Sequence, residues 1–339
     1  MIDNITPNDS EIDAGVKKGL DRRFCIAPML DCTDRHERYF LRLFSKNILL
    51  YSEMITTSAI LRGDRDYLLG FDQTEHPVAL QLGGSDPDAL AEVARIGEDY
   101  GFDEINLNVG CPSDRVQFGA FGACLMAQPE LVADCVRAMK SATTLPVTVK
   151  HRTGIDDLDS WEALLKFTQL QVDAGVDALI VHARKAWLKG LSPKQNREVP
   201  PLQYELVYRL KAQFPETQMI INGGIKTLAQ CDQHLQQMDG VMLGREPYAN
   251  PYLLATVDAE IFNDAAALIP DRLQILQAYY PYIESRLQQG MNLSNIIRHI
   301  IGLFHGEPNG RLWRRYLSEH AFRKGAGIEV IEQASRLLS

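Results

Sequence analysis

Cys111 is the residue best placed for chemistry. It stands in Asn108-Val109-Gly110-Cys111-Pro112-Ser113, directly after an apolar run. Glycine before it and proline after it disfavour a helix, so the segment reads as a loop. A thiol of ordinary acidity, pKa near ~8.5, is protonated at neutral pH and can donate a proton. With a depressed pKa it would serve as a nucleophile instead, and its neighbours leave both roles open. Cys25, Cys32, Cys124, Cys135 and Cys231 fall in or beside strands and helices and read as small hydrophobes. No C-x-x-C pair occurs, so neither structural zinc nor any other metal site is expected. Six cysteines in 339 residues suit reduced thiols in a cytoplasmic enzyme better than a disulfide framework.

Polar residues finish other apolar runs along the chain. In order they are Pro28-Met29, Glu53, Gln81, Asn106 and Asn108, Lys150 and Arg152, His182, Asn222-Gly223-Gly224, and Gly244-Arg245. Burying each unpaired would cost about 1–3 kcal/mol, so together they call for a large planar polar ligand. The two glycine sites suit a phosphate, because glycine leaves backbone N–H groups uncovered, and Arg245 can add a bidentate charge. Lys150 can stabilise negative charge on a reduced flavin ring or pair with Glu53. Gln81 can bond a pyrimidine edge or act as a satisfied polar cap. His182 faces the ligand or is structural.

Something must hold these ends together. Apolar runs occupy 24–27, 49–53, 78–82, 104–109, 147–150, 178–182, 219–221 and 241–243, each followed by a helix-like stretch. Asp86-Pro87 and Gln128-Pro129 open helices, and Gly175 closes one that carries Trp161, Leu164, Leu165, Thr168 and Val172. Eight such alternations predict an α/β fold, a (β/α)8 TIM barrel whose strand C-termini form the active face. A doubly wound open sheet is the alternative, but no G-x-G-x-x-G follows the first run. Beyond residue 258 the pattern turns helical, with stretches at 273–287 and 295–304. The expected division is a polar, disordered extension at 1–20, a catalytic barrel at 21–260 and a smaller all-α domain at 261–339.

Composition is that of a globular protein, 45% hydrophobic and 23% charged. No apolar run approaches the ~20 residues of a membrane helix, and the start of the chain lacks a secretion-signal pattern. Net charge is −9, yet two stretches are basic. Between 182 and 198 five basic residues face one acid, and between 295 and 324 six face two. They are either solvated faces or phosphate contacts, since phosphates respond to charge within ~8–10 Å.

On these residues the chain resembles the tRNA-dihydrouridine synthases, most closely their A-type branch. The carrying motifs are Ala27-Pro28-Met29-Leu30-Asp31, 77–84 (PVALQLGG), 104–116 (EINLNVGCPSDRV), 121–126 (FGACLM), 147–150, 181–194 (VHARKAWLKGLSPK), 221–225 (INGGI) and 243–245. The resemblance implies FMN as cofactor, NADPH as reductant, and reduction of the uracil C5=C6 bond at D-loop positions 20 and 20a. It places Pro28, Met29, Gln81, Lys150, His182, Asn222, Gly223, Gly224, Gly244 and Arg245 around FMN. It makes Cys111 the proton donor to C5 while flavin N5 delivers hydride to C6, with Asn108 and Arg152 holding the uracil. Given tRNA as partner, Lys194, Arg197, Arg311, Arg314 and Arg315 are candidates for phosphate contacts. Trp313 and Tyr316 can stack on bases, although core packing suits them better. The target uridine must flip out of its stack to reach a barrel mouth. Cys25 and Cys32 depart from the branch pattern at positions without an implied role. The chain is expected to act as a monomer in the cytoplasm. Two other readings are an FMN barrel acting on a free pyrimidine or enone, and a tRNA-binding chaperone without chemistry.

Overall fold

In a strand buried on both faces, alternation decides which side chains meet the helices and which enter the barrel. The computed structural model describes residues 19–338, so the expectation for 1–20 lies, except for its last two residues, outside the described residues. Eight strands form: β1 (Phe24–Ile26), β2 (Leu50–Thr56), β3 (Val78–Gly83), β4 (Glu104–Val109), β5 (Val147–Arg152), β6 (Ala178–His182), β7 (Gln218–Asn222) and β8 (Gly240–Leu243). They pair in parallel in the order β1-β8-β7-β6-β5-β4-β3-β2. Between β1 and β2 the ring closes, Ile26 N–H donating to Leu49 O at 2.9 Å and Leu49 N–H to Phe24 O at 3.1 Å. Closure excludes the open sheet. The expected (β/α)8 barrel forms, with every strand near its apolar run and β2 running on to Thr56.

Capping sets the helices outside it. Asp86 accepts from Ala89 N–H at 2.8 Å and starts the helix Pro87–Asp99. Ser160 does the same for Trp161–Asp173, and Gly175, at φ 84°, turns the chain after that helix. Phe24, Ile26, Leu80, Ile105, Leu107, Val109, Val147 and Val149 point outward into one large apolar core against these helices.

The barrel interior is split. One side packs Cys25, Tyr51, Ala79, Ala178, Ile180, Ile220 and Met242. The other is a hydrogen-bonded chain. Asn108 Nδ2 donates to Gln81 Oε1 at 2.8 Å, Gln81 Nε2 to Asn106 Oδ1 at 2.8 Å, and Asn106 Nδ2 to Thr148 Oγ1 at 2.8 Å. Thr148 Oγ1 donates to Glu104 Oε1 at 2.6 Å, as does the Tyr51 hydroxyl, and Arg22 Nε donates to Glu104 Oε2 at 2.6 Å. Every link runs donor to acceptor toward one carboxylate.

Residues 110–113 form the loop expected around Cys111, followed by a short helix, Asp114–Phe118, and a 3-10 turn, Gly122–Ala127. One segment differs from its sequence reading. The expected helix at 295–304 stops at Ile297 and continues as tight turns, Ile300 N–H to Ile297 O and Leu303 N–H to Ile300 O. There Gly302 presses on the barrel so closely that a Cβ would lie 2.4 Å from Ala249 O. From Arg272 onward the described residues hold helices and turns but no strand. This region docks on the helix Arg35–Arg42. Tyr39 stacks on Tyr282 with ring centres 4.0 Å apart, Tyr279 OH donates to His36 O, and Arg298 pairs with Asp34 at 2.6 Å. No helix among the described residues is long and apolar enough to cross a membrane.

Glu104→Ala leaves Arg22 buried without its partner. Loss of one member of a buried pair costs about 3–5 kcal/mol, so the urea midpoint should fall steeply. A shift worth less than ~1 kcal/mol would remove the pair from the account.

Candidate active site

The polar chain surfaces at the mouth, where it fixes Cys111. Asn108 Oδ1 accepts the N–H groups of Gly110 at 3.1 Å and Cys111 at 2.9 Å. Arg152 Nε donates to Gly110 O at 2.8 Å, and Ala123 N–H donates to Cys111 O at 2.9 Å. The backbone on both sides of the thiol is thus held, while Cys111 itself stays partly exposed, with Sγ 3.6 Å from Ser113 Oγ. Gly122 allows the 3-10 turn to lie under this loop. Its φ is 74°, and a Cβ there would lie 2.3 Å from Val116 Cγ1 and 2.7 Å from Cys111 O.

Beside the thiol the rim is cationic, since Asn108 of β4 pairs with Lys150 of β5. Lys150 Nζ donates to Asn222 Oδ1 at 3.1 Å, and Asn222 Nδ2 donates to Met242 O at 2.7 Å. The pairing of Lys150 with Glu53 does not form: Glu53 accepts from Asp31 N–H instead. Burial, then the neighbouring Arg152, pushes the Lys150 pKa down to about 7, with Cys111 opposing. Burial followed by Arg152 and Lys150 lowers His182 well below its ordinary value. Neither Lys150 nor Arg152 has an acidic partner among the described residues. Cations without acidic partners at a strand end favour an anionic ligand.

The glycines make the matching cradle. Gly223 and Gly224 have φ of 118° and 74°. A Cβ on Gly223 would lie 2.7 Å from His182 Cδ2, and one on Gly224 2.6 Å from Leu202 Cδ1. Tyr204 OH donates to Gly223 O at 2.6 Å. Gly244 opens the short helix Arg245–Ala249 beside Met29, whose Sδ would be 3.3 Å from a Cβ at 244. Arg245 rests on Glu198 at 2.7 Å.

A family model described as dihydrouridine synthase matches residues 25–339. The chain belongs to the dihydrouridine synthase family. It is 59% identical over 318 residues to the tRNA-dihydrouridine(20/20a) synthase of Escherichia coli (strain K12), covering 94% of this chain and 92% of that protein. The protein of that name from Yersinia pestis is 57% identical over 319 residues, covering 94% and 92%. The one from Synechocystis is 57% identical over 309 residues, covering 91% and 92%. A solved complex of 2-naphthoyl-CoA reductase with 2-naphthoyl-CoA matches with a TM-score of 0.53 at 11% identity. It covers 69% of this chain and 49% of that one, and the likeness speaks for the barrel alone.

Within this family member the sequence-predicted residues divide in two. Pro28, Met29, Gln81, Asn108, Cys111, Lys150, Arg152, His182, Asn222, Gly223, Gly224, Gly244 and Arg245 all stand at the C-terminal ends of strands or in the loops that follow. Gln81 and Asn108 are already bonded to each other, which leaves each only part of its capacity for a ligand. Arg152 is 3% exposed and spends Nε and Nη1 on the carbonyls of Gly110, Lys185 and Asn196. Only its Nη2 edge remains.

The basic candidates lie farther out. Lys194 and Arg197 are exposed on the loop after β6, and Arg311 and Arg315 are exposed on the helix Gly310–His320, where Arg314 is half-buried. Trp313 is fully buried against Phe304, and Tyr316 stacks on His320 with centres 3.9 Å apart. No group of three or more His, Cys, Asp or Glu side chains able to hold a metal occurs among the described residues.

Sequence reasoning missed Asn196. Buried, it knots the β6 loop by donating to Trp187 O at 2.9 Å and Leu191 O at 3.1 Å while accepting from Trp187 N–H. Nothing local marks it. Gly122 was visible only inside the FGACLM motif.

Lys150 gives a pH signature. Between about pH 7 and 10.5 the unfolded chain carries a proton at Lys150 that the folded protein lacks, so its penalty is full below pH 7 and fades as pH rises. Lys150→Met should therefore raise the ligand-free denaturation midpoint most at and below pH 7, with the gain vanishing toward pH 10.5. An equal gain at every pH would contradict the burial of this charge. Gly122→Ala should release the Ala123 N–H bond to Cys111 O, read as faster amide exchange at Ala123; unchanged protection means the turn tolerates a side chain.

Proposed function

We propose that this chain reduces the C5=C6 bond of D-loop uridines in tRNA, at positions 20 and 20a, using FMN and NADPH. The observation that carries the reading is the rim itself: a pinned thiol beside Lys150 and Arg152, two cations without acidic partners among the described residues, next to a glycine cradle. The donor set fits FMN. Gly223, Gly224, Gly244 and Arg245 suit its phosphate, and Lys150, His182 and Asn222 suit the electron-rich edge of its ring. Pro28, Met29 and Gln81 complete the wall. When bound, FMN supplies the two electrons, which NADPH replenishes.

This chain's residues do the rest. Asn108 and the free Nη2 edge of Arg152 orient the uracil. Cys111 gives its proton to C5, and the thiolate left behind lies within electrostatic reach of Lys150 and Arg152. The balanced change is uridine plus NADPH plus a proton giving dihydrouridine and NADP+. Lys194, Arg197, Arg311, Arg314 and Arg315 are assigned to tRNA phosphates, and the uridine enters flipped from its stack. In this assignment 21–260 is the catalytic unit and 261–339 the helical RNA-holding unit. The protein acts as a cytoplasmic monomer.

The close relationship favours tRNA over a free pyrimidine, and the pinned thiol favours chemistry over a chaperone. Purified protein should be yellow and, with NADPH, should add two mass units to uridine in tRNA lacking dihydrouridine. A colourless protein, or one that reduces free uracil equally well, would sink the reading. Cys111→Ala should keep flavin and RNA affinity but lose about 10²–10⁴-fold in turnover. Wild-type turnover would remove the thiol as acid.

A further inference from the structure

A recess of about 430 Å³ lies where the barrel meets the C-terminal helices, lined by Tyr248, Ala249, Arg298, Ile301, Gly302, His305 and Arg314. Its volume falls in the range of small-ligand sites, about 300–1,000 Å³. The walls are pressed together rather than loosely apposed, since Gly302 leaves no room for a Cβ against Ala249 O. Tyr248 belongs to the helix Arg245–Ala249, one turn beyond the cradle arginine, so the recess borders the active rim.

Its charge is unbalanced. No acid lines it. Arg298 is neutralised by Asp34 from outside the lining, at 2.6 Å. The guanidinium of Arg314, half-buried, has neither an ion pair nor a hydrogen bond to a described residue. The recess thus holds an unpaired guanidinium and the Tyr248 ring, which meets His299 edge-on at 5.8 Å. A ring and a guanidinium in one recess can take a base and its phosphate.

Resting on the function proposed above, we infer that this recess seats a nucleotide neighbouring the reduced uridine in the same RNA strand, its base on Tyr248 and its phosphate on Arg314. The enzyme then grips two residues of one strand, one inside the barrel and one at the joint with the helices. Positions that offer a neighbour able to enter the recess are reduced in preference to others.

The test uses the FMN-loaded enzyme and a tRNA in which single bases flanking the target are removed while the ribose-phosphate is kept. In the wild type, one such removal should weaken binding about tenfold, the scale of one base–aromatic stack. Tyr248→Ala should lose about the same factor on intact tRNA and nothing further at that position, whereas Tyr248→Phe should bind as wild type. Arg314→Ala should reduce the slope of log affinity against log salt by about one. If Tyr248→Ala sheds its flavin, the salt slope of Arg314→Ala decides alone. Penalties for base removal that are identical in wild type and Tyr248→Ala, or an unchanged slope in Arg314→Ala, overturn the recess. Uridine reduction by wild type is followed in the same tRNA. Its absence defeats the proposed reaction, whereas reduction without coupling defeats only the recess.

Discussion

One buried carboxylate organises the polar half of the barrel. Glu104 takes hydrogen bonds from Arg22, Tyr51 and Thr148, so Thr148 must donate downward and accept from above. That fixes which end of the Asn106 amide faces it, then the Gln81 amide, then that of Asn108. At the mouth Asn108 therefore presents its oxygen to the backbone of the cysteine loop. Had the order been reversed at any link, two like groups would face each other in a site closed to water, at the cost of leaving both unpaired. The orientation of a group at the rim is thus set by an acid at the opposite end of the barrel.

The other half of the design is an imbalance. Folding brings Lys150 and Arg152 together without an acidic partner among the described residues, and burial opposes their charge. Such a cluster weakens the empty protein and favours any anion that enters. A site built this way trades stability for affinity, as functional sites commonly do.

Much of this was legible in the residues. Strands covered on both faces are written as short apolar runs, so the eight strands and their polar ends could be read directly, as could the Asp86 cap. Pairings across the barrel could not. Lys150 has Asn222 as partner and not Glu53, because strand tilt decides which inward side chains meet, and tilt leaves no mark on composition. Asn196 lies in a polar stretch with every appearance of a surface loop, yet it is fully buried by the knot it ties. The helix expected across 295–304 carried the right periodicity but ends at Ile297, and the turns that follow bring Gly302 against Ala249, a residue 53 positions away. Local pattern is blind to such constraints.

The three carbonyls bound by Arg152 belong to two different loops, Gly110 on one side and Lys185 with Asn196 on the other. One rigid planar cation thereby joins the strand of chain that bears the sulfur to the strand that bears Lys194 and Arg197. Neither can swing without stretching the other's tether. A single side chain thus fixes the spacing between the sulfur and the outer, charged loop.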